Sequence, residues 1–135
     1  MNETRENGYL IHWYNLNEDI ESEYLEWLHE KYIPGRLNDP RILWACHFKS
    51  LANVEHPGEK GRLSHDNQSI PSGDRYILIF ASENPEIFAN PTVAEYHESL
   101  NQDDLNYLKM RCEERYNIMT EEARGPGSEE KPLDG

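Results

Sequence analysis

Two histidines stand inside segments of strong β propensity, His12 within Tyr9–Asn15 and His47 within Arg41–Leu51. Strand alternation groups His12 with Leu10 and Tyr14, and His47 with Ala45 and Lys49. If those faces line a cavity, two imidazoles and a phenol project into an apolar chamber. Imidazole titrates near neutral pH and both accepts and returns a proton, which cyclisation, enolisation and dehydration require. A buried phenol such as Tyr14, Tyr32 or Tyr76 can hydrogen-bond a carbonyl and stabilise a developing enolate. His29 and Tyr32 sit one helical turn apart, and Arg36 follows, where a guanidinium can clamp a carboxylate or phenolate or else neutralise Asp39. Trp13, Trp44, Phe48 and Phe80 are candidate aromatic walls. Each residue also has a plainer reading as a satisfied structural histidine, a packing tyrosine or ordinary core.

Other chemistries lack a signature. No H-E-x-x-H or comparable spacing announces a metal, the six histidines being scattered, and no metal or cofactor is expected. There is no Gly-rich phosphate loop and no G-x-S-x-G elbow. A haem would need an axial histidine that no motif marks. With 13 basic and 26 acidic residues the formal net charge is −13, which repels phosphate backbones and anionic lipids, so neither nucleic acid nor a membrane is an expected partner. Residues 1–8 are polar and no apolar run approaches the ~20 residues of a membrane span, pointing to a cytoplasmic protein. Cys46 and Cys112 form no C-x-x-C pair and read as ordinary thiols.

The elements that must position these residues fit a single domain over 8–122, between a flexible N-terminus, 1–7, and a disordered tail, 123–135. Tyr9–Asn15 is the first strand. Asn17 occupies a cap position before a helix running to about Ile33, with Ile20, Tyr24, Leu25, Trp27, Leu28 and Tyr32 on its apolar face and Pro34-Gly35 ending it. Arg41–Leu51 places Ile42, Trp44, Cys46 and Phe48 on one face. A long connection, 52–73, carries His56 and His65. Arg75–Ala81, apolar on both sides, reads as a central strand. Asn84-Pro85 and Asn90-Pro91 each suggest a cap followed by proline at the first helical position. Asn101 caps a further helix with Leu105, Leu108 and Cys112 as its stripe, and Tyr116–Met119 is a short last strand. The order β-α-β-β-α-β is a ferredoxin-like α+β arrangement, an antiparallel sheet with helices on one face. Tyr9, Leu10, Ile11, Trp13, Trp44, Tyr76, Leu78 and Phe80 exceed what a wet sheet face carries, so a second copy of the chain is the expected lid.

The segment Trp27-Leu28-His29-Glu30-Lys31-Tyr32-Ile33-Pro34-Gly35-Arg36-Leu37, with Pro40-Arg41-Ile42-Leu43-Trp44-Ala45, resembles the W-Y-x-E-E-H-I-P-x-R-L … P-G-F-x-x-A stretch of small dimeric α/β-barrel proteins of the EthD-like group. Arg75–Phe80 and Asn84–Phe88 are similar to that group's third strand and following short helix. The sequence departs where the group carries a histidine before Ile-Pro: Tyr32 stands there, and His29 three residues earlier. The resemblance implies a homodimeric barrel; the wider superfamily includes cofactor-free cyclases, oxygenases, isomerases and haem-handling enzymes. Residues and resemblance together give the expectation of a cofactor-independent enzyme acting by proton transfer (cyclisation, dehydration or isomerisation) on an apolar, oxygenated polyketide-like or aromatic intermediate. His12 or His47 would be base, Tyr14 or Tyr32 the hydrogen-bonding acid, and His29, Arg36, Trp13, Trp44, Tyr76 and Phe80 the substrate-contacting set. The alternatives are a non-catalytic small-molecule binding or accessory protein and a cofactor-free oxygenase of electron-rich phenols.

Overall fold

A computed structural model of the chain describes residues 6–51 and 75–127. The 52–73 connection and the end of the tail fall outside the described residues; 123–127 carry no helix or strand. The elements are β1 (Gly8–Asn15), α1 (Glu18–Trp27), a π-helical segment (Leu28–Tyr32), α2 (Ile33–Leu37), β2 (Ile42–Lys49), β3 (Tyr76–Ser82), a 3-10 turn (Pro85–Phe88), α3 (Val93–Glu98), α4 (Gln102–Leu108) and β4 (Cys112–Thr120). Four antiparallel strands lie in the order β2-β3-β1-β4, an α+β arrangement compatible with a ferredoxin-like fold.

Strand pairing sorts side chains into two faces, because directly opposed residues point the same way. Leu10 opposes Phe80 and Ile118, and His12 opposes Leu78 and Tyr116, while His47 also opposes Leu78. This face lies under the helices: Leu10, His12, Tyr14, Leu78 and Phe80 have no exposure, and they pack with Tyr24, Trp27, Leu28 and Tyr32. Burying each large apolar side chain stabilises the fold by ~1.5–3 kcal/mol. The opposite face carries Ile11, Trp13, Ile77 and Ile79 with Trp44 and Phe48; Phe48 is 52% exposed. The apolar set expected on one greasy surface is therefore divided. Leu10, Tyr76, Leu78 and Phe80 are covered by the chain's own helices, whereas Tyr9, Ile11, Trp13 and Trp44 are half-buried on the opposite face, which no helix of the described residues covers.

Several boundaries correct the sequence reading. The helix does not end at Pro34-Gly35 but runs on to Leu37. Proline lacks an N–H and its ring crowds the carbonyl four residues back; the wider π turn of Leu28–Tyr32 immediately before it moves that carbonyl aside. Ile42 does not share a face with Trp44, because the register of β2 on β3 shifts between them. This bulge turns Ile42 into the covered core and Trp44 outward. Asn90-Pro91 does not open a helix: Thr92 caps α3 through a capping box with Glu95. Cys112 belongs to β4 rather than to the stripe of α4, and β4 spans Cys112–Thr120 because pairing along β1 holds a polar segment in extended form.

Candidate functional site

Polar side chains of the covered face meet those of the helices in one continuous hydrogen-bonded system. The hydroxyl of Tyr14 on β1 lies 2.7 Å from His47 Nε2 on β2 and 2.9 Å from the hydroxyl of Tyr24 on α1. Arg111, just before β4, reaches Tyr24 Oη through Nε at 2.7 Å and Glu114 Oε2 through NH1 at 2.8 Å. Glu114 Oε2 also lies 2.8 Å from His12 Nδ1. His47 and His12 thus end a single chain that passes through Tyr14, Tyr24, Arg111 and Glu114.

A guanidinium only donates, so Arg111 fixes the sense of half the system. Tyr24 accepts from Arg111 and donates to Tyr14, which donates to His47 Nε2. Burial pushes both phenols up, so Tyr14 and Tyr24 keep their protons. Burial, with His29 and Arg111 nearby, lowers His47 to about 4, leaving a neutral imidazole to accept. Burial also disfavours the Arg111 charge, yet Tyr24, Tyr32 and Glu114 more than offset it and raise its pKa.

The other half runs through Glu114 to His12. Burial opposes ionisation of Glu114, but the hydrogen bond with His12 and the Arg111 charge outweigh it and hold the carboxyl at about 2. An ionised carboxylate accepts only, so His12 Nδ1 carries its hydrogen toward Glu114. Burial and the neighbouring Arg111 and Arg36 charges lower His12, against the pull of Glu114. The imidazole is therefore neutral, and its Nε2 presents a bare lone pair with no hydrogen-bond partner among the described residues.

Around this core, Tyr32 Oη pairs with His97 Nε2 at 2.8 Å, and burial with the Arg111 and Arg36 charges lowers His97 to about 4. The Arg36 guanidinium lies 4.1 Å from the Tyr96 ring centre and 5.6 Å from that of Phe80. Phe80 in turn meets His12 edge-on at 6.4 Å.

The covered face thus unites His12, Tyr14, Tyr32, His47, Arg36, Tyr76 and Phe80, with His47 stacked 5.1 Å from Tyr76. Tyr76 also donates its hydroxyl to Glu21. His29 is exposed at the edge, its ring 6.0 Å from His47. Trp13 and Trp44 are on the opposite face, so they are not walls of this site; the alternation and the β2 bulge carry them away. Sequence reasoning missed Arg111, Glu114, His97 and Tyr96 and gave Tyr24 only a packing role. One signal was present: Glu114, Tyr116 and Ile118 alternate, placing a carboxylate in line with apolar positions. A bulge opposite Tyr14, where Glu113 adopts a left-handed φ of 57°, sets Glu114 toward His12.

A groove of about 700 Å³ between α1 and α4 is lined by Glu23, Glu26, Trp27, Glu30 and Asp104 among others. It is polar and acidic and holds none of the buried network, which lies on the covered sheet face. Among the described residues no group of three or more His, Cys, Asp or Glu is placed to hold a metal, and no helix is long and apolar enough to cross a membrane. Compared with known proteins, the chain matches no protein-family model and no curated sequence.

Proposed function

We propose that the protein is a cofactor-independent enzyme that moves a proton on an oxygenated small molecule, with His12 as the base. The observation that carries this reading is the His12–Glu114 pair. Its 2.8 Å contact fixes the tautomer, and a fully buried Nε2 lone pair is left without a partner among the described residues. In the step envisaged, His12 Nε2 takes a proton from a carbon beside a carbonyl. The electron pair of that C–H bond moves onto the carbonyl oxygen as an enolate, and the same Nε2–H returns the proton at the product position. Isomerisation and aldol-type cyclisation both begin this way. His47, already accepting from Tyr14, is engaged otherwise and is the weaker candidate.

The same reading places the chain with ferredoxin-like, dimeric α/β-barrel proteins of the EthD-like type. Support comes from the strand order and from Ile11, Trp13, Ile77, Ile79, Trp44 and Phe48, an apolar surface that no helix of the described residues covers and that a second copy would shield.

The test is deuterium exchange from solvent into a panel of β-dicarbonyl compounds and aryl ketones, followed by proton NMR. Exchange above the buffer rate that falls about a hundredfold in His12→Gln is expected; a rate indifferent to that substitution discards the assignment.

A further inference from the structure

Of the two buried guanidiniums, Arg36 and Arg111, only Arg111 has a carboxylate partner among the described residues. Glu114 is ion-paired with Arg111 at 2.8 Å, and Arg36 has no carboxylate within salt-bridge distance among the described residues. Asp39 acts on Arg36 only at longer range, and both its oxygens are already taken by Arg41 at 2.9 and 2.7 Å. Both guanidiniums are nonetheless buried, Arg36 at 8% and Arg111 at 7% exposure. A buried charge is costly unless it is paired and hydrogen-bonded. The aromatic faces of Tyr96 and Phe80 supply part of that compensation to Arg36, but a ring face offers no lone pair in the guanidinium plane.

The hydrogen-bond inventory points the same way. Among the described residues, Arg111 NH2 and Arg36 Nε are buried donors without partners, and His12 Nε2 is a buried acceptor without one. All three belong to one neighbourhood, since Phe80 touches both Arg36 and His12, and Tyr32 packs against both Phe80 and Arg111, whose guanidinium lies 5.1 Å from the Tyr32 ring. Two unpaired cationic donors beside a bare base match a ligand that carries a negative oxygen near an exchangeable proton.

We infer that Arg36 and Arg111 form an anion subsite beside His12, and that the substrate is a monoanion bearing a carboxylate or a stabilised enolate oxygen. This rests on the proton-transfer reading for the role of His12, but not for the binding of the anion. The substrate class narrows accordingly, from oxygenated small molecules in general to acidic ones such as β-keto acids or acidic phenols. A resident carboxylate would neutralise the surplus guanidinium, and an enolate formed by His12 would develop its charge beside Arg111.

The probe is benzoate, with neutral benzamide of the same shape as control, titrated calorimetrically into the full-length chain. The His12 imidazole resonances are followed by NMR. Benzoate should bind at least about tenfold more tightly than benzamide and shift the His12 resonances. Arg36→Gln should erase the preference, while Arg36→Lys, which keeps the charge, should retain part of it. Circular dichroism establishes that each variant is folded; if Arg36→Gln is not, Arg36→Met, which suits an apolar surround, replaces it. Equal binding of the two probes, no binding of benzoate, or a preference that survives loss of the Arg36 charge overturns the inference. Failure of the proton-transfer reading looks different: benzoate binds as expected, yet no carbon acid exchanges deuterium.

Discussion

Tyr24 donates its hydroxyl hydrogen to Tyr14 across 2.9 Å, and the direction is imposed by Arg111 behind it. Tyr24→Phe leaves the buried Arg111 Nε without an acceptor and should cost about 1–3 kcal/mol. Tyr14→Phe strands only the Tyr24 hydroxyl, since the partly exposed His47 can turn to water, so it should cost less. Because the groups form one system, the double variant should cost less than the sum. Urea denaturation of the three variants measures all of this; equal and additive losses would contradict the assigned direction.

Acid should weaken the fold before carboxylates begin to protonate. His47 and His97 fall from 6.5 to about 4 in the folded chain, and His12 is lowered as well. Between those values the unfolded chain binds protons that the folded chain refuses, so stability drops as pH falls through this window. The groups facing His97 are Tyr32, Tyr96, Arg111, Arg36, Glu114 and His12; those around His47 are Tyr14, Tyr76, His29 and Arg111. Glu114, lowered to about 2, contributes fully only above the ordinary glutamate value of about 4.5 and loses that contribution as pH falls from there through about 2. Replacing His97 with Asn should remove about one proton's share of the slope in denaturation curves taken across the window. An unchanged slope would show that His97 titrates normally.

Gly8 pairs with Ser82 on one side and Thr120 on the other, at the point where the 3-10 turn crosses β1. A Cβ there would fall on the backbone of Pro85 and within 2.7 Å of the Pro85 Cβ. Gly8→Ala should therefore lower stability by about 1–3 kcal/mol through overpacking, despite alanine's better intrinsic strand behaviour. A melting temperature equal to that of the unsubstituted chain would refute the close approach.

The uncovered sheet face gives a prediction about assembly. If two copies meet there, Ile79→Glu, placed on a central strand of that face, should yield monomers in sedimentation while leaving the helix-covered core intact. A chain that is monomeric before substitution, at the highest attainable concentration, would remove the dimer from the proposal.

Much of the fold was legible. Alternation in Tyr9–Asn15 and Arg75–Ala81, and the three- and four-residue spacing of Tyr24, Trp27, Leu28 and Tyr32, point to strands and a helix whose existence depends on local periodicity. His12, Tyr14, Tyr32, His47 and Arg36 were identifiable as chemical groups for the same reason. Arg111 was not, because it sits in a short link between α4 and β4, where no pattern marks a buried guanidinium.

The sequence alone determined the order of the elements and the strand parity that sets His12 and Tyr14 on the same side. It did not determine which side. In β1 and β3 both faces are apolar enough to be covered, so only the docking of α1 decided that the His12 face, and not the Trp13 face, lies under the helices of the described residues. The two bulges were equally invisible: shifts of one residue, at Leu43 and opposite Tyr14, depend on pairing between segments distant in the chain. They turn Trp44 outward and set Glu114 toward His12, and the His12–Glu114 pair is assembled by that tertiary contact.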